Sequence, residues 1–127
     1  MVVDTSCLVA ILTQEPGFHE LNIKIAGSDT VMAAPSLVEA SMVLAKHLGP
    51  NTQLELMHVL NRLGIEIAPF SLDQAWEAAS AFERFGKGRH PAALNFGDCM
   101  VYALAKITGR PVLFTGNDFS QTDVPVA

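Results

Sequence analysis

The feature that most constrains the fold is an alternation of short apolar runs with longer segments of helical periodicity. The runs at residues 1–5, 30–34, 65–68 and 112–115 have the length and branched content of buried strands. Between them, apolar residues recur every three or four positions, which is typical of helices packed on one face. Strands that alternate with helices require right-handed crossovers and a mainly parallel sheet covered on both faces. We therefore expect one α/β domain over residues 1–127.

Residues with strong capping preferences mark the predicted helix ends. Ser71 followed by Gln74 is a capping box for a helix that reaches about residue 85. Asn95 caps a later helix that is apolar nearly all round and should be buried. Gly64 and Gly109 supply left-handed stops for two helices.

The composition restricts the class of protein. Half of the 127 residues are hydrophobic and 17% are charged, which excludes a disordered chain. No apolar stretch reaches the 18 or so residues of a membrane span, and the apolar N-terminus lacks the basic start of a signal peptide. Cys7 and Cys99 lack the spacing of zinc sites and fit small buried side chains. We expect a soluble, cytoplasmic protein with no membrane contact.

Four acidic residues fall where the predicted strands end or the following helices begin. Asp4 and Asp118 follow the first and fourth strands, while Glu39 and Asp98 lie in the first turns of two helices. Ligands of parallel sheets bind outside the carboxyl ends of the strands. Four carboxylates without lysine or arginine partners would repel one another unless a cation intervenes, and oxygen ligands select Mg²⁺ or Mn²⁺. This set predicts metal-dependent phosphodiester hydrolysis.

Each acid taken alone also has a structural explanation. Glu39 stands three residues after Ser36 and can complete a capping box. Asp98 is placed to favour a helix N-terminus, and Asp118 to form an Asx turn. Asp4 has no local structural reason, because an acid inside an apolar segment needs a partner or a metal. One shared site explains the four positions better than four separate accidents.

Four segments of the chain together resemble a known family. They are VVDTSCLVAIL, APSLVEASMVLAK, LNFGDCMVYALAK and LFTGNDF, and they are similar to the four acidic blocks of PIN domains. The stretch FGKGRHPAALNFGDC further resembles the toxin half of VapBC toxin–antitoxin pairs. The resemblance covers essentially the whole chain. It implies a single PIN domain with a three-layer α/β/α sandwich and a mainly parallel sheet of four to five strands.

The resemblance also implies an activity and a metal site. It indicates a metal-dependent endoribonuclease that acts as the toxin of a type II toxin–antitoxin system, with Mg²⁺ or Mn²⁺ as cofactor. The family's four acids correspond to Asp4, Glu39, Asp98 and Asp118 in this sequence. Of these, Asp4 and Asp98 would hold the principal ion.

Further residues are candidates for supporting roles. Ser6 lies in a segment that resembles the family's DTS block, where its hydroxyl either holds a metal-bound water or orients Asp4, or else only caps the helix. Asn95 either bonds to the acids or only caps its helix. Thr115 and Asp123 lie close to the fourth acid in sequence and complete the supporting set.

A basic cluster offers a contact for phosphate. Arg84, Lys87, Arg89 and His90 crowd into seven residues of a chain whose net charge is −5. They form either an RNA-binding rim or a solvated loop. The expected partners are an RNA substrate and, as the resemblance implies, a VapB-type antitoxin whose tail wraps the toxin. The apolar residues of the helices over 36–63, including Met42, Met57 and Leu60, further indicate either a homodimer or a bound antitoxin segment.

Three alternatives share the acidic pattern. A receiver-type signalling domain would need an aspartate after the strand at residues 65–68 and a lysine after Asp118, and neither is present. A haloacid-dehalogenase-like phosphatase would need a second aspartate where Ser6 stands. A non-catalytic PIN-like interaction module would have the same fold without cleaving RNA.

Overall fold

A parallel sheet of four strands forms the middle of the computed structural model, which describes residues 1–127. The strands are β1 (Val2–Val3), β2 (Thr30–Ala33), β3 (Ile65–Ala68) and β4 (Val112–Leu113), and the helices are α1 (Thr5–Leu12), α2 (Phe18–Ala26), α3 (Ala34–Leu48), α4 (Thr52–Leu63), α5 (Leu72–Phe85) and α6 (Phe96–Thr108). Short 3₁₀ turns occupy Gly49–Asn51 and Phe119–Gln121. The strand order is β3-β2-β1-β4, and all neighbours are parallel. The four predicted strands are all present.

The sheet is covered on both faces, so the predicted three-layer α/β/α sandwich is confirmed. Val2 and Val31 point into one apolar core with α5 and α6. Val3 and Met32 point the other way, into a second core with α1, α2, α3 and α4. Successive side chains of a strand face opposite sides, so strands buried on both faces are apolar throughout.

The structure confirms the helix ends that Ser71, Asn95, Gly64 and Gly109 marked in the sequence. Ser71 Oγ accepts a hydrogen bond from the backbone N–H of Gln74, whose side chain accepts one from the N–H of Ser71. Asn95 caps α6 in the same reciprocal way. Gly64 and Gly109 end α4 and α6 with φ of 69° and 65°, the left-handed conformation that glycine adopts without a Cβ penalty.

Two elements differ from expectation. Helix α2 was not predicted, because Ile25 is its only buried residue and apolar and polar residues mix on the rest of its surface. Helix α3 begins at Ala34 directly after β2, so Glu39 lies in its second turn rather than its first. At the edge of the sheet formed by β4, Val126 makes an isolated parallel bridge with Val112.

The helix surfaces correct one detail of the sequence-based expectation. Met42 and Met57 are exposed as expected, whereas Leu60 lies in the core between the sheet and the α1–α4 layer. None of the six helices has the length and apolar character needed to cross a membrane.

Candidate active site

The four acids singled out in the sequence line one open pocket at the carboxyl edge of the sheet. Its volume is about 340 Å³. The lining residues are Asp4, Thr5, Ser6, Val9, Glu15, Glu39, Val43, Asn95, Asp98, Thr115 and Asp118. No lysine, arginine or histidine is among them, so the pocket concentrates negative charge without an internal counter-ion.

Asp4 is held by a relay of hydrogen bonds at the end of β1. Its Oδ2 accepts from the backbone N–H of Ser6 at 3.0 Å and from the hydroxyl of Ser6 at 2.5 Å. The Ser6 hydroxyl in turn accepts from the backbone N–H of Thr115 at 3.0 Å. Asp4 is only 7% exposed and is the N-cap of α1. Both hydroxyl-bearing candidates thus contribute to fixing the Asp4 carboxylate, Ser6 through its side chain and Thr115 through its backbone.

Asp98 takes part in both of the arrangements considered for it, because it completes the capping box of α6 and also lines the pocket. Its Oδ2 accepts from the backbone N–H of Asn95 at 3.0 Å, while Asn95 Oδ1 accepts from the backbone N–H of Asp98 at 2.8 Å. The other carboxylate oxygen, Oδ1, has no hydrogen bond within the protein. A cap that uses one oxygen fixes the carboxylate and leaves the second for a ligand.

Glu39 and Asp118 are not explained by capping. The hydroxyl of Ser36 is buried without a hydrogen-bond partner, so the capping box proposed for Ser36 and Glu39 does not form. Asp118 precedes the Phe119–Gln121 turn and makes no side-chain capping hydrogen bond to it. Their carboxylates belong to the pocket rather than to local backbone structure.

Burial and repulsion between the acids raise the pKa values of Asp4 and Asp98. Burial raises the pKa of Asp4, and the charge of Glu39 adds to the rise, while the bonds from Ser6 oppose it. Burial also raises the pKa of Asp98 to about 6, reinforced by the charges of Asp4, Asp118 and Glu39 and opposed by the bond from Asn95. No basic side chain among the lining residues offsets this effect.

The donor set fits a hard divalent cation. The pocket offers carboxylate, amide and hydroxyl oxygens and no sulfur or imidazole. No group of three or more His, Cys, Asp or Glu side chains is placed to enclose one ion. Mg²⁺ is commonly held by one or two carboxylates, with water and substrate phosphate completing its octahedron. An open, partly ligated site therefore suits Mg²⁺ or Mn²⁺ better than a closed structural ion.

Asp123 does not lie in the pocket, contrary to its predicted supporting role. Its carboxylate accepts from Lys106 Nζ at 2.7 Å, from the hydroxyl of Tyr102 at 2.6 Å and from Arg84 at 3.0 Å. These partners hold the pKa of Asp123 well below its ordinary value, with Lys106 contributing most. Asp123 fastens the C-terminal segment to α5 and α6. Closeness in sequence to Asp118 was misleading because the chain turns away after the Phe119–Gln121 turn.

The basic cluster divides into a bound and an exposed part. Arg84 is engaged by Asp123, which makes it a poor candidate for phosphate contact. Lys87 and Arg89 are exposed in the loop after α5, and the Arg89 guanidinium lies over the ring of Phe82 at 5.4 Å. Nδ1 of the fourth candidate, His90, accepts a hydrogen bond from the backbone of the same loop. None of the four lines the acidic pocket.

Sequence reasoning missed one acid of the pocket. Glu15 lines the pocket from the segment after α1, and its side chain is exposed. It follows a helix rather than a strand, so the rule that led to the other acids gave no reason to include it.

The whole chain also matches known proteins. The family model described as "PIN domain" matches residues 1–125. The chain belongs to the PIN-domain family. Among curated relatives, this PIN domain is 44% identical over 125 residues to "Ribonuclease VapC" of Mycolicibacterium smegmatis, which spans 98% of this chain and 97% of the relative. It is 41% identical to "Ribonuclease VapC30" of Mycobacterium tuberculosis, across 98% of this chain and 95% of that one.

Solved structures share the fold at much lower sequence identity. Mycobacterium tuberculosis VapC20, titled a sarcin-ricin loop cleaving toxin, superposes with a TM-score of 0.79 at 15% identity over 99% of this chain and 97% of that chain. A toxin–antitoxin complex from Klebsiella pneumoniae gives a TM-score of 0.74 at 15% identity over 99% and 95%. These likenesses establish the PIN architecture. The whole-chain family match excludes the receiver and dehalogenase alternatives.

Proposed function

We propose that this PIN domain is an endoribonuclease that uses Mg²⁺ or Mn²⁺ to hydrolyse RNA phosphodiester bonds, and that it is the toxin of a type II toxin–antitoxin system. The observation that carries the proposal is the convergence of Asp4, Glu39, Asp98 and Asp118 on one pocket without a basic side chain. Relatives named as ribonucleases over the full length of the chain agree with it.

In the proposed reaction Asp4 and Asp98 would hold the principal ion through their carboxylate oxygens. When bound, the ion would supply Lewis-acid chemistry, lowering the pKa of the attacking water and stabilising the charge that develops on the phosphate. Ser6 keeps Asp4 oriented, because its hydroxyl donates to Asp4 while accepting from the Thr115 backbone. Glu39 and Asp118 line the same pocket, where they would orient water or substrate.

The exposed cations outside the pocket would meet the RNA backbone. Lys87 and Arg89 are exposed on the loop between α5 and α6, and Asn95 and Asp98 begin α6 directly after that loop. Phosphates bound there would be drawn toward the α6 N-terminus, although the chain carries a net charge of −5. A local cluster of positive side chains can attract RNA phosphates even when the net charge of the whole protein is negative.

The direct test is cleavage of a structured RNA by the purified chain with Mg²⁺, with Mn²⁺ and with EDTA. We expect cleavage only with the ions, products with 5′-phosphate and 3′-hydroxyl ends, and loss of activity in Asp98→Asn. Metal-independent cleavage, or a 2′,3′-cyclic phosphate product, would contradict the proposed chemistry. Binding of RNA without cleavage would favour the non-catalytic module instead.

An apolar groove beside the acidic pocket supports an antitoxin partner. Two connected hollows share Pro35, Phe70 and Phe96, and one of them extends along α3 past Met42 to Glu39. Phe96 and Met42 are 79% and 72% exposed. A VapB-type tail with an apolar helix in the groove and an arginine beyond it would meet complementary charge in the pocket.

The same exposed faces support a homodimer as a second assembly. Met57 on α4 is 60% exposed and lines a separate shallow hollow with α3. Size-exclusion chromatography with light scattering, with and without the co-expressed antitoxin, tests both assemblies. A mass of one chain for the toxin alone would contradict the homodimer, and the absence of a larger complex after co-expression would contradict the antitoxin partner.

The cytoplasm is the proposed location. RNA and the proposed antitoxin are encountered there, and the two buried thiols, Cys7 and Cys99, are free as expected of a reducing compartment.

A further inference from the structure

Gly97 occupies a position in α6 that its backbone conformation does not explain. It is the second residue of the helix, and its φ is not among the positive values found at six other glycines. Glycine inside a helix is less favourable than alanine by about 1 kcal/mol. A reason for the absence of a side chain must therefore lie outside the helix.

That reason is the carboxylate of Glu39. A Cβ at position 97 would overlap Oε2 and Cδ of Glu39 and make a tight contact of 3.0 Å with Oε1, and these are its three nearest atoms. Glu39 belongs to α3, and its side chain lies directly against the first turn of α6 at Gly97, which has no side chain. The first turn of α6 carries a partial positive charge, which favours an anion at that spot.

We propose that Gly97 is a positioning residue for the active site: the missing Cβ lets the Glu39 carboxylate lie against α6 next to Asp98. The inference rests on the proposed function and adds a residue that touches neither metal nor RNA. The Glu39 charge is one of those that raise the pKa of the adjacent Asp98, in agreement with a close approach. A methyl group at position 97 turns the Glu39 side chain away, and the pocket loses one of the four proposed site acids while the fold persists.

The chain offers a matched pair of substitutions for the test. In Gly97→Ala the new Cβ meets the movable end of Glu39, so the fold need not adjust. In Gly27→Ala the new Cβ meets only a backbone oxygen of Ile23 at 3.6 Å, an ordinary contact outside the pocket. We expect both variants to unfold at or above the midpoint of the native chain. Cleavage should fall about tenfold to a hundredfold in Gly97→Ala, because small misplacements at a reacting centre have effects of that size, and stay unchanged in Gly27→Ala.

A double-substitution cycle separates positioning from a general structural effect. In the Glu39→Ala background no carboxylate remains to be displaced, so Gly97→Ala should cause no further loss of cleavage. An equal loss in both backgrounds would overturn the proposal, since position 97 would then act without Glu39. Full activity of the single Gly97→Ala variant would overturn it as well.

A second readout does not depend on catalysis. The ¹³C resonance of the Glu39 carboxyl carbon, assigned by its disappearance in Glu39→Ala, should shift in metal-free Gly97→Ala and not in Gly27→Ala. An unchanged resonance overturns the proposal even if activity falls. If the native chain cuts no RNA while the resonance shifts as expected, the proposed function fails and the placement of Glu39 by Gly97 stands.

Discussion

Replacing Asp98 with asparagine should stabilise the metal-free protein while abolishing cleavage. The pKa of Asp98 is about 6 in the folded chain, against an ordinary value of 3.8. Because the folded-state pKa is the higher one, folding favours the protonated acid, and this contribution is present below pH 3.8 and lost as the pH rises through about 6. The difference corresponds to about 3 kcal/mol at most, and solvent in an open pocket reduces it to about 1–2 kcal/mol.

Asparagine preserves the shape of the side chain and the helix cap. Its Oδ1 can accept the hydrogen bond from the Asn95 backbone that Asp98 accepts in the native chain. The variant loses only the charge that repels Asp4, Glu39 and Asp118. The expected gain therefore arises first from removing the desolvation cost of a buried charge and then from removed repulsion, rather than from a new contact.

Urea unfolding of both proteins at pH 4 and pH 8 in EDTA measures the effect. The free energy of unfolding of the variant should rise relative to that of the native chain as the pH rises. The other titrating groups are the same in both proteins, so their contributions largely cancel in this difference. Millimolar Mg²⁺ should reverse the order at pH 8 by stabilising the native chain alone. A difference that stays constant with pH, or a variant that is less stable at pH 8 in EDTA, would refute the electrostatic reasoning.

Three further substitutions test other parts of the account. Asp4→Asn should remove cleavage by at least a hundredfold with an unchanged circular dichroism spectrum, because an oxygen ligand remains but its charge does not; a fully active variant contradicts the assignment. Asp123→Asn should leave cleavage intact and lower the free energy of unfolding by about 1 kcal/mol at pH 7. Since Lys106 and its neighbours depress the pKa of Asp123, the loss should shrink as the pH falls below 3.8, and a loss that persists in acid argues against the ion pairs. Lys87→Gln should weaken RNA binding and flatten its salt dependence by about 0.7 in the log–log slope, measured by fluorescence anisotropy against Lys46→Gln as a control; equal slopes exclude Lys87 from the RNA contact.

The fold followed from local patterns wherever one pattern dominated. Strands buried on both faces are apolar throughout, and capping residues such as Ser71 and Asn95 determine where helices start regardless of distant contacts. Helix α2 was not predicted from the sequence because it buries only Ile25 and depends on packing against α1 and α4. Helix α3 began earlier than expected because it continues β2 without a loop residue.

The candidate site was predictable to the extent that strand ends converge. Asp4 and Asp118 follow strands of one parallel sheet, and topology alone brings them to the same edge. Asp123 is close to Asp118 in sequence, but three partners on α5 and α6 hold it elsewhere. Such partners are far apart in the chain, so single-sequence reasoning had no access to them.

Glu15 and Gly97 could not be found from sequence for a related reason. Glu15 reaches the pocket from a segment that no strand precedes. The importance of Gly97 lies in what its absent Cβ avoids, and only the packing of α3 against α6 reveals the carboxylate there.

Anomalous diffraction from crystals grown with Mn²⁺ tests the central claim most directly. The account predicts a manganese peak in the acidic pocket, bonded to carboxylate oxygens of Asp4 and Asp98 and absent from crystals of Asp98→Asn. A pocket without manganese at saturating concentration, or an ion bound only elsewhere on the surface, would contradict it.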